Sequence, residues 1–231
     1  MKHRLEAYIK RILWGVVNHF DRKRLKNEDF SILCPNCVGG ILYERLNKPF
    51  LSPTINLWME DYDLLKFASD IERYVKQESL EFISTEYDYP VARLGDITIY
   101  FNHSHSQDEA VFQWKKRVDR INTENLFVIV SDRCGLTEKN IELLEQIPCK
   151  GKILFTSQTT NLKDYMLYLP YYAGCDRVGV YMLDRLKNRF GVAPFDGYFD
   201  YVSFFNTGKV VEYKGLRAKI LKKLGNRKYE H

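Results

Sequence analysis

Apolar positions near the start of the chain recur in steps of three and four. Leu5, Tyr8, Ile9, Ile12, Leu13, Val16, Val17 and Phe20 share one helical face, and the other face is basic. Two roles fit such a helix. Its stripe can dock on the domain's own core, or it can lie on an anionic lipid surface with Trp14 and Phe20 at the interface. Near the other end, Leu216, Ile220, Leu221 and Leu224 form a shorter stripe in KGLRAKILKKLG, with Lys222 and Lys223 where cations suit the helix dipole.

Between these ends, short β-rich runs alternate with helical patterns. FSILCP (30–35) reads as a buried strand and GGILYERL (39–46) as the helix after it, joined by a tight turn. The spacing of Leu64, Leu65, Phe67, Ala68, Ile71, Tyr74 and Val75 predicts one helix over 62–77. LEFIS (80–84) and DITIYFNH (96–103) read as strands and 107–121 as a helix. LFVIVSD (126–132) is the clearest buried strand. Thr137 caps a helix that Pro148 ends, and KILFTS (152–157) is a further strand. After about residue 160 the sequence turns Tyr-, Gly- and Asp-rich and predicts loops and short elements.

This alternation predicts an α/β protein: a single domain with a largely parallel, mixed, Rossmann-like sheet flanked by helices, plus amphipathic terminal helices. The boundaries are 1–26 for the basic N-terminal helix, 27–208 for the α/β domain and 209–231 for the basic C-terminal helix or tail.

Composition sharpens this picture. With 45% hydrophobic and 28% charged residues the chain has globular proportions, and its sixteen Tyr and fourteen Phe can fill a core or line polar grooves. No apolar run is long enough to span a membrane as a helix. The first twenty residues are interrupted by Glu6, Lys10 and Arg11 and lack a small-residue cleavage site, so a cytoplasmic protein is expected, with a peripheral place at the inner membrane surface as its extension. The odd number of cysteines (Cys34, Cys37, Cys134, Cys149, Cys175) suits a reducing compartment and thiols. The net charge of +5 is uneven. Residues 1–26 and 209–231 each carry +6, leaving the interior at −7. That pattern suits contact with an anionic surface at the ends and argues against wrapping a nucleic acid.

Candidate chemistry gathers where strands meet helices. The turn Pro35-Asn36-Cys37-Val38-Gly39-Gly40 places backbone N–H groups at a helix N-terminus, where phosphates and carboxylates bind; the competing reading is a tight turn that needs its glycines for geometry. Cys34 and Cys37 have redox or half-zinc spacing, but no second ligand pair exists, so no metal is assigned and the residues name no cofactor. His103 and His105 end a strand that Asp96 begins, supplying a candidate base and carboxylate; a hydrogen-bonded loop is the alternative. Asp132 and Arg133 follow the clearest strand at its carboxyl edge. Lys115, Lys116, Arg117 and Arg120 form a basic cluster that can hold a phosphate or face solvent.

Several blocks together, FSILCPNCVGGILYERLN, LSPTINLWM, YPVARLGDITIYFNH, EAVFQWKKRVDRIN, LFVIVSDR, LTEKNIELLEQIP and KILFTSQ, resemble a bacterial family of domains of unknown function labelled exopolysaccharide biosynthesis protein. The resemblance implies a surface-polysaccharide role, with a transferase acting on a sugar or activated sugar donor as the expected function, glycosyl or acyl transfer as its forms, and an activated sugar or glycan as partner. The alternative is a non-catalytic membrane-surface accessory of a polysaccharide assembly complex. Matching positions are Asn36, Cys37, Gly39, Gly40, Ser52, Pro53, Asp96, His103, Trp114, Arg117, Arg120, Asn122 and Asp132. From these, His103, Asp96 and Asp132 are expected as catalytic residues, with Asn36, Cys37, Gly39, Gly40, Ser52, Trp114, Arg117, Arg120 and Asn122 binding substrate. Two departures stand out. Val38 replaces a usual Trp and Tyr100 a frequent His, so sugar stacking would fall to another aromatic such as Trp58 or Tyr62.

Overall fold

The computed structural model describes residues 2–76, 79–133, 137–178 and 190–225. Cys134 and the last basic residues, Arg227 and Lys228, lie outside them. The hydrophobic runs become a four-stranded parallel sheet in the order β1 (Ser31–Leu33), β5 (Leu126–Ser131), β6 (Gly151–Thr156), β7 (Met166–Tyr168). Alternate residues feed two cores. Ile32, Phe127, Ile129, Ile153 and Phe155 pack on one face, with α2 (Val38–Leu46) and α7 (Tyr201–Thr207); Leu33, Leu126, Val128, Val130 and Leu154 pack on the other, with α3 (Asp61–Ser69), α5 (Gln107–Val118) and α6 (Glu138–Gln146). A sheet buried on both sides demands strands apolar through their centres, which LFVIVS supplies.

LEFIS and DITIYFNH do not join that sheet. Leu80–Ile83 (β2), Val91–Leu94 (β3) and Ile97–Tyr100 (β4) form a separate antiparallel meander. Between β3 and β4 lies a two-residue turn, and its first residue, Gly95, takes φ 58°, a value that permits a tight hairpin where a parallel crossover would need a long connection. The helix expected over 62–77 is broken at Asp70 (φ −148°), giving α3 and α4 (Ile71–Lys76). In the stretch read as loops and short elements, the short helix α7 inserts Phe204 and Phe205 into the first core. Thr137 and Ser106 cap α6 and α5 through hydrogen bonds to Asn140 N and Glu109 N.

The terminal helices form as expected, α1 over Lys2–Arg24 and α8 over Gly215–Gly225. Only one side of α1 docks. Val17 is buried, Trp14 stacks under the buried Arg45 at 3.8 Å, and Asp21 is fully buried, accepting from Tyr201 and, at 2.5 Å, from Arg217 of α8. Arg45 is itself held by both oxygens of Asp196, at 2.5 and 2.9 Å. Among the described residues no helix is long and apolar enough to cross a membrane.

Candidate functional site

The turn after β1 is built by its own side chains. The Cys34 thiol donates to Asn36 Oδ1 at 3.2 Å, and the same oxygen accepts from Val38 N at 3.0 Å. The amides of Asn36 and Gly39 point at the Cys34 sulfur. Burial pushes that thiol up to about 12, so it remains a protonated structural group. The first amides of α2 are thus satisfied within the protein. The open phosphate cradle expected at Asn36, Gly39 and Gly40 is not there. A Cβ on Gly39 would meet Ile55 Cδ1 at 2.8 Å, and one on Gly40 would meet Asn56 Oδ1 at 2.9 Å, so the glycines let α2 pack against the 52–60 segment.

That segment assembles the site. Trp58 exchanges two 2.9 Å backbone hydrogen bonds with Tyr100 at the end of β4, and Met59 N donates to Pro35 O at 3.3 Å. One short crossing therefore ties the antiparallel meander to the turn after β1. Arg133, buried at the end of β5, braces it from below: its guanidinium donates to Met59 O, and its Nε lies 3.0 Å from Asp61 Oδ1. The result brings Cys37, at the N-cap of α2, within 3.6 Å of His103, Sγ to Nε2. The thiol is partly accessible and the imidazole exposed. Beside them runs an aromatic ridge: Trp58 and Tyr100 have ring centroids 4.0 Å apart, Tyr87 meets Tyr100 edge-on at 5.7 Å, and Tyr87 stacks on Tyr89 at 4.9 Å. Burial raises the Tyr100 phenol, keeping it a neutral donor.

The other expected residues fall elsewhere. Asp96 sits in the β3–β4 turn, at the far end of β4 from His103, so the two form no acid–base pair. Its carboxylate accepts from Tyr74 (2.7 Å), Lys66 (3.2 Å) and Arg73 (3.3 Å), and the bonds from Tyr74 and Lys66 hold it below the usual carboxylate range. His103 and His105 occupy a turn, closed by Ser104 N to Phe101 O, so they do not point alike along a strand. Asp132 lies at the carboxyl edge but is buried, its carboxylate accepting from Thr156 Oγ1 (2.7 Å), Ser157 N (2.8 Å), Ser157 Oγ (3.3 Å) and Val178 N (2.6 Å). It ties β5 to β6 and the following loop, leaving no face for a sugar or cation. Ser52 is buried against Thr54, which accepts from Cys34 N; Trp114 packs in the second core on Phe67 and Phe101. Arg117, lowered by burial, donates to Ile55 O, and Asn122 caps the turn before β5, at the opposite sheet edge. Arg120 is exposed.

The pair brought together is therefore Cys37 and His103; the sequence marks Cys37 as a binding residue and by its redox or half-zinc spacing from Cys34, and the Trp58–Met59 segment, braced by Arg133, links the turns that carry the two. The signal was present: a cysteine opening a helix after a buried strand has an accessible sulfur, while the CxxC spacing draws attention to the wrong partner. Cys34, Cys37, Cys149 and Cys175 are all thiols without disulfides, and among the described residues no cluster of His, Cys, Asp and Glu could hold a metal ion.

An α/β domain whose parallel sheet carries a cysteine at its carboxyl edge, met there by a histidine from the adjoining antiparallel meander, is the class defined by these features. The chain belongs to the family described as domain of unknown function (DUF1919), whose model matches residues 8–206. It is also 35% identical over 190 residues to a protein of Haemophilus influenzae (strain ATCC 51907 / DSM 11121 / KW20 / Rd) described as an uncharacterized protein, covering 82% of this chain and 90% of that relative.

Proposed function

We propose that the protein is a thiol-dependent acyltransferase acting on a sugar hydroxyl of a surface polysaccharide or its precursor. The observation that carries the acyl half is the 3.6 Å approach of Cys37 Sγ to His103 Nε2 at the N-terminus of α2. Thiols placed at a helix N-terminus beside an imidazole are those most readily used as nucleophiles, and a nucleophile within reach of a base is the signature of covalent catalysis. The sugar half draws on the sequence resemblance to exopolysaccharide proteins and on the aromatic ridge in which exposed Tyr87 meets half-buried Tyr100, since aromatic faces suit sugar rings.

In this reading the Cys37 thiol passes its proton to His103 and its sulfur attacks the carbonyl carbon of an acyl thioester donor. The donor's thiol leaves, taking a proton from the His103 imidazolium, and the acyl group remains on Cys37 as a new thioester. A sugar hydroxyl then attacks that carbonyl, its proton passing to His103; an O-acyl sugar departs and the cysteine is regenerated. Asn36 and Cys34 hold the turn, while Trp58 and Met59 fix the distance between the two reacting groups.

Mass spectrometry after incubation with a panel of acyl thioesters, without acceptor, tests this. One acyl mass should appear on Cys37, vanish in Cys37→Ala and discharge when a sugar acceptor is added. The reading fails if no donor acylates Cys37 and a Cys37→Ala strain makes normal surface polysaccharide.

A further inference from the structure

Among the described residues eleven large hydrophobic side chains are exposed, and seven of them sit on the two terminal helices. On α1 they are Tyr8, Ile9, Ile12, Val16 and Phe20, 40% to 56% exposed and spaced along the side of the helix away from buried Val17 and Asp21. On α8 they are Leu216 and Ile220, one turn apart, 75% and 45% exposed. An apolar side chain left in water loses the stabilisation that burial would give, and five on one helix form a continuous stripe rather than scattered singletons. The first core is already closed by α2 and α7, so nothing within the described fold covers this stripe.

Charge identifies what does. Exposed Arg4, Arg11 and Lys23 accompany the stripe on α1, and Lys219 and Lys223 accompany Leu216 and Ile220 on α8. The 2.5 Å ion pair between Arg217 and buried Asp21 joins the two helices, so the described part of the basic C-terminal segment is tied to the basic N-terminal helix despite their separation in sequence. A second copy meeting this face would set like charges against each other. A nucleic acid would match the charge but leave the Ile, Val and Phe side chains unsatisfied. Anionic lipid satisfies both, with the lysines and arginines at the headgroups and the apolar stripe at the acyl boundary.

We propose that α1 and α8 form a peripheral docking surface for an anionic lipid bilayer. This stands apart from the chemistry at Cys37, which could be correct for a freely diffusing enzyme. The test is flotation of the full chain with vesicles of phosphatidylcholine alone, or of phosphatidylcholine and phosphatidylglycerol in equal parts. The protein should float only with phosphatidylglycerol present and be released by salt. Ile12→Asp combined with Val16→Asp should abolish flotation while leaving the thermal melt unchanged, both positions being exposed. Lys219→Gln and Lys223→Gln should each lower the vesicle partition about fivefold. Three results would overturn the proposal: a wild-type protein that stays in the soluble fraction with phosphatidylglycerol at low salt, an aspartate variant that floats as well as wild type, or light scattering that finds a dimer which the aspartate variant dissociates.

Discussion

Asp132 and Cys37 stand at the same carboxyl edge of the parallel sheet, with His103 reaching Cys37 from the end of the meander, and the sequence marks all three as candidates, yet the structure treats Asp132 and the Cys37–His103 pair oppositely. The Asp132 carboxylate is buried with four donors aimed at it, from Thr156, Ser157 and Val178. Cys37 is partly accessible and His103 exposed, and their side chains approach to 3.6 Å. A polar group whose bonding capacity is used up by the protein has none left for a substrate, whereas a pair that solvent reaches can also be reached by one. The same contrast recurs within one turn. Cys34 is wholly buried and bonded to Asn36, while three residues on Cys37 is accessible beside a base.

The strongest way to break this comparison is Asp132→Ala. Removing the acceptor leaves the Thr156, Ser157 and Val178 donors buried without a partner, so urea denaturation should show a loss of about 4 kcal/mol, while the folded fraction alkylates Cys37 at the wild-type rate. If labelling of Cys37 collapsed in the folded protein instead, Asp132 would belong to the site. His103→Gln should do the reverse: iodoacetamide labelling of Cys37, followed by peptide mass mapping, should slow about 100-fold, with stability changed by no more than ~0.5 kcal/mol because the imidazole is exposed. An unchanged labelling rate would reduce the pair to a chance approach.

The smallest effect separates the two thiols. Burial raises Cys34 to about 12 from an ordinary value of 9.0, so the folded state holds this proton more tightly than the unfolded chain does. Its contribution to stability is complete below about pH 9 and is lost as pH climbs towards 12, amounting to about 1 kcal/mol one unit above the thiol's ordinary value. Denaturation midpoints in alkaline buffers should fall accordingly, and Cys34→Ala should flatten that slope. An alkaline slope unaltered by the substitution would mean that Cys34 is not the group responsible.

The parallel sheet was legible because strands buried on both faces are apolar through their centres, as the LFVIV of LFVIVS and the ILF of KILFTS visibly are. The antiparallel meander was half legible. LEFI and ITIY read as strands, but VARL, with an arginine in it, does not, and only the positive φ of Gly95 turns three short runs into their own sheet. Helix α7 was hidden because YVSFFNT has the β-branched and aromatic composition of a strand, and tertiary packing of Phe204 and Phe205 overrides that preference. Of the candidate site, Asn36, Cys37 and His103 come together, while Asp96 and Asn122 lie at the starts of β4 and β5, the ends away from His103 and Asp132, as their order in the chain already implies. The segment that unites the site, Trp58-Met59, carries no motif of its own; it acts through backbone hydrogen bonds, which any side chain can make.

The crossing of Trp58 and Met59 also bears on when the molecule becomes competent. Cys37 and His103 are 66 residues apart, one belonging to the parallel sheet and the other to the meander, and their meeting requires both units to have docked on the same short strap. Contacts between such distant positions close late, after local helices and hairpins have formed. Thiol reactivity at Cys37 is then a built-in reporter of maturation: a chain paused with its sheets formed but undocked would be indistinguishable in helical content and silent in chemistry.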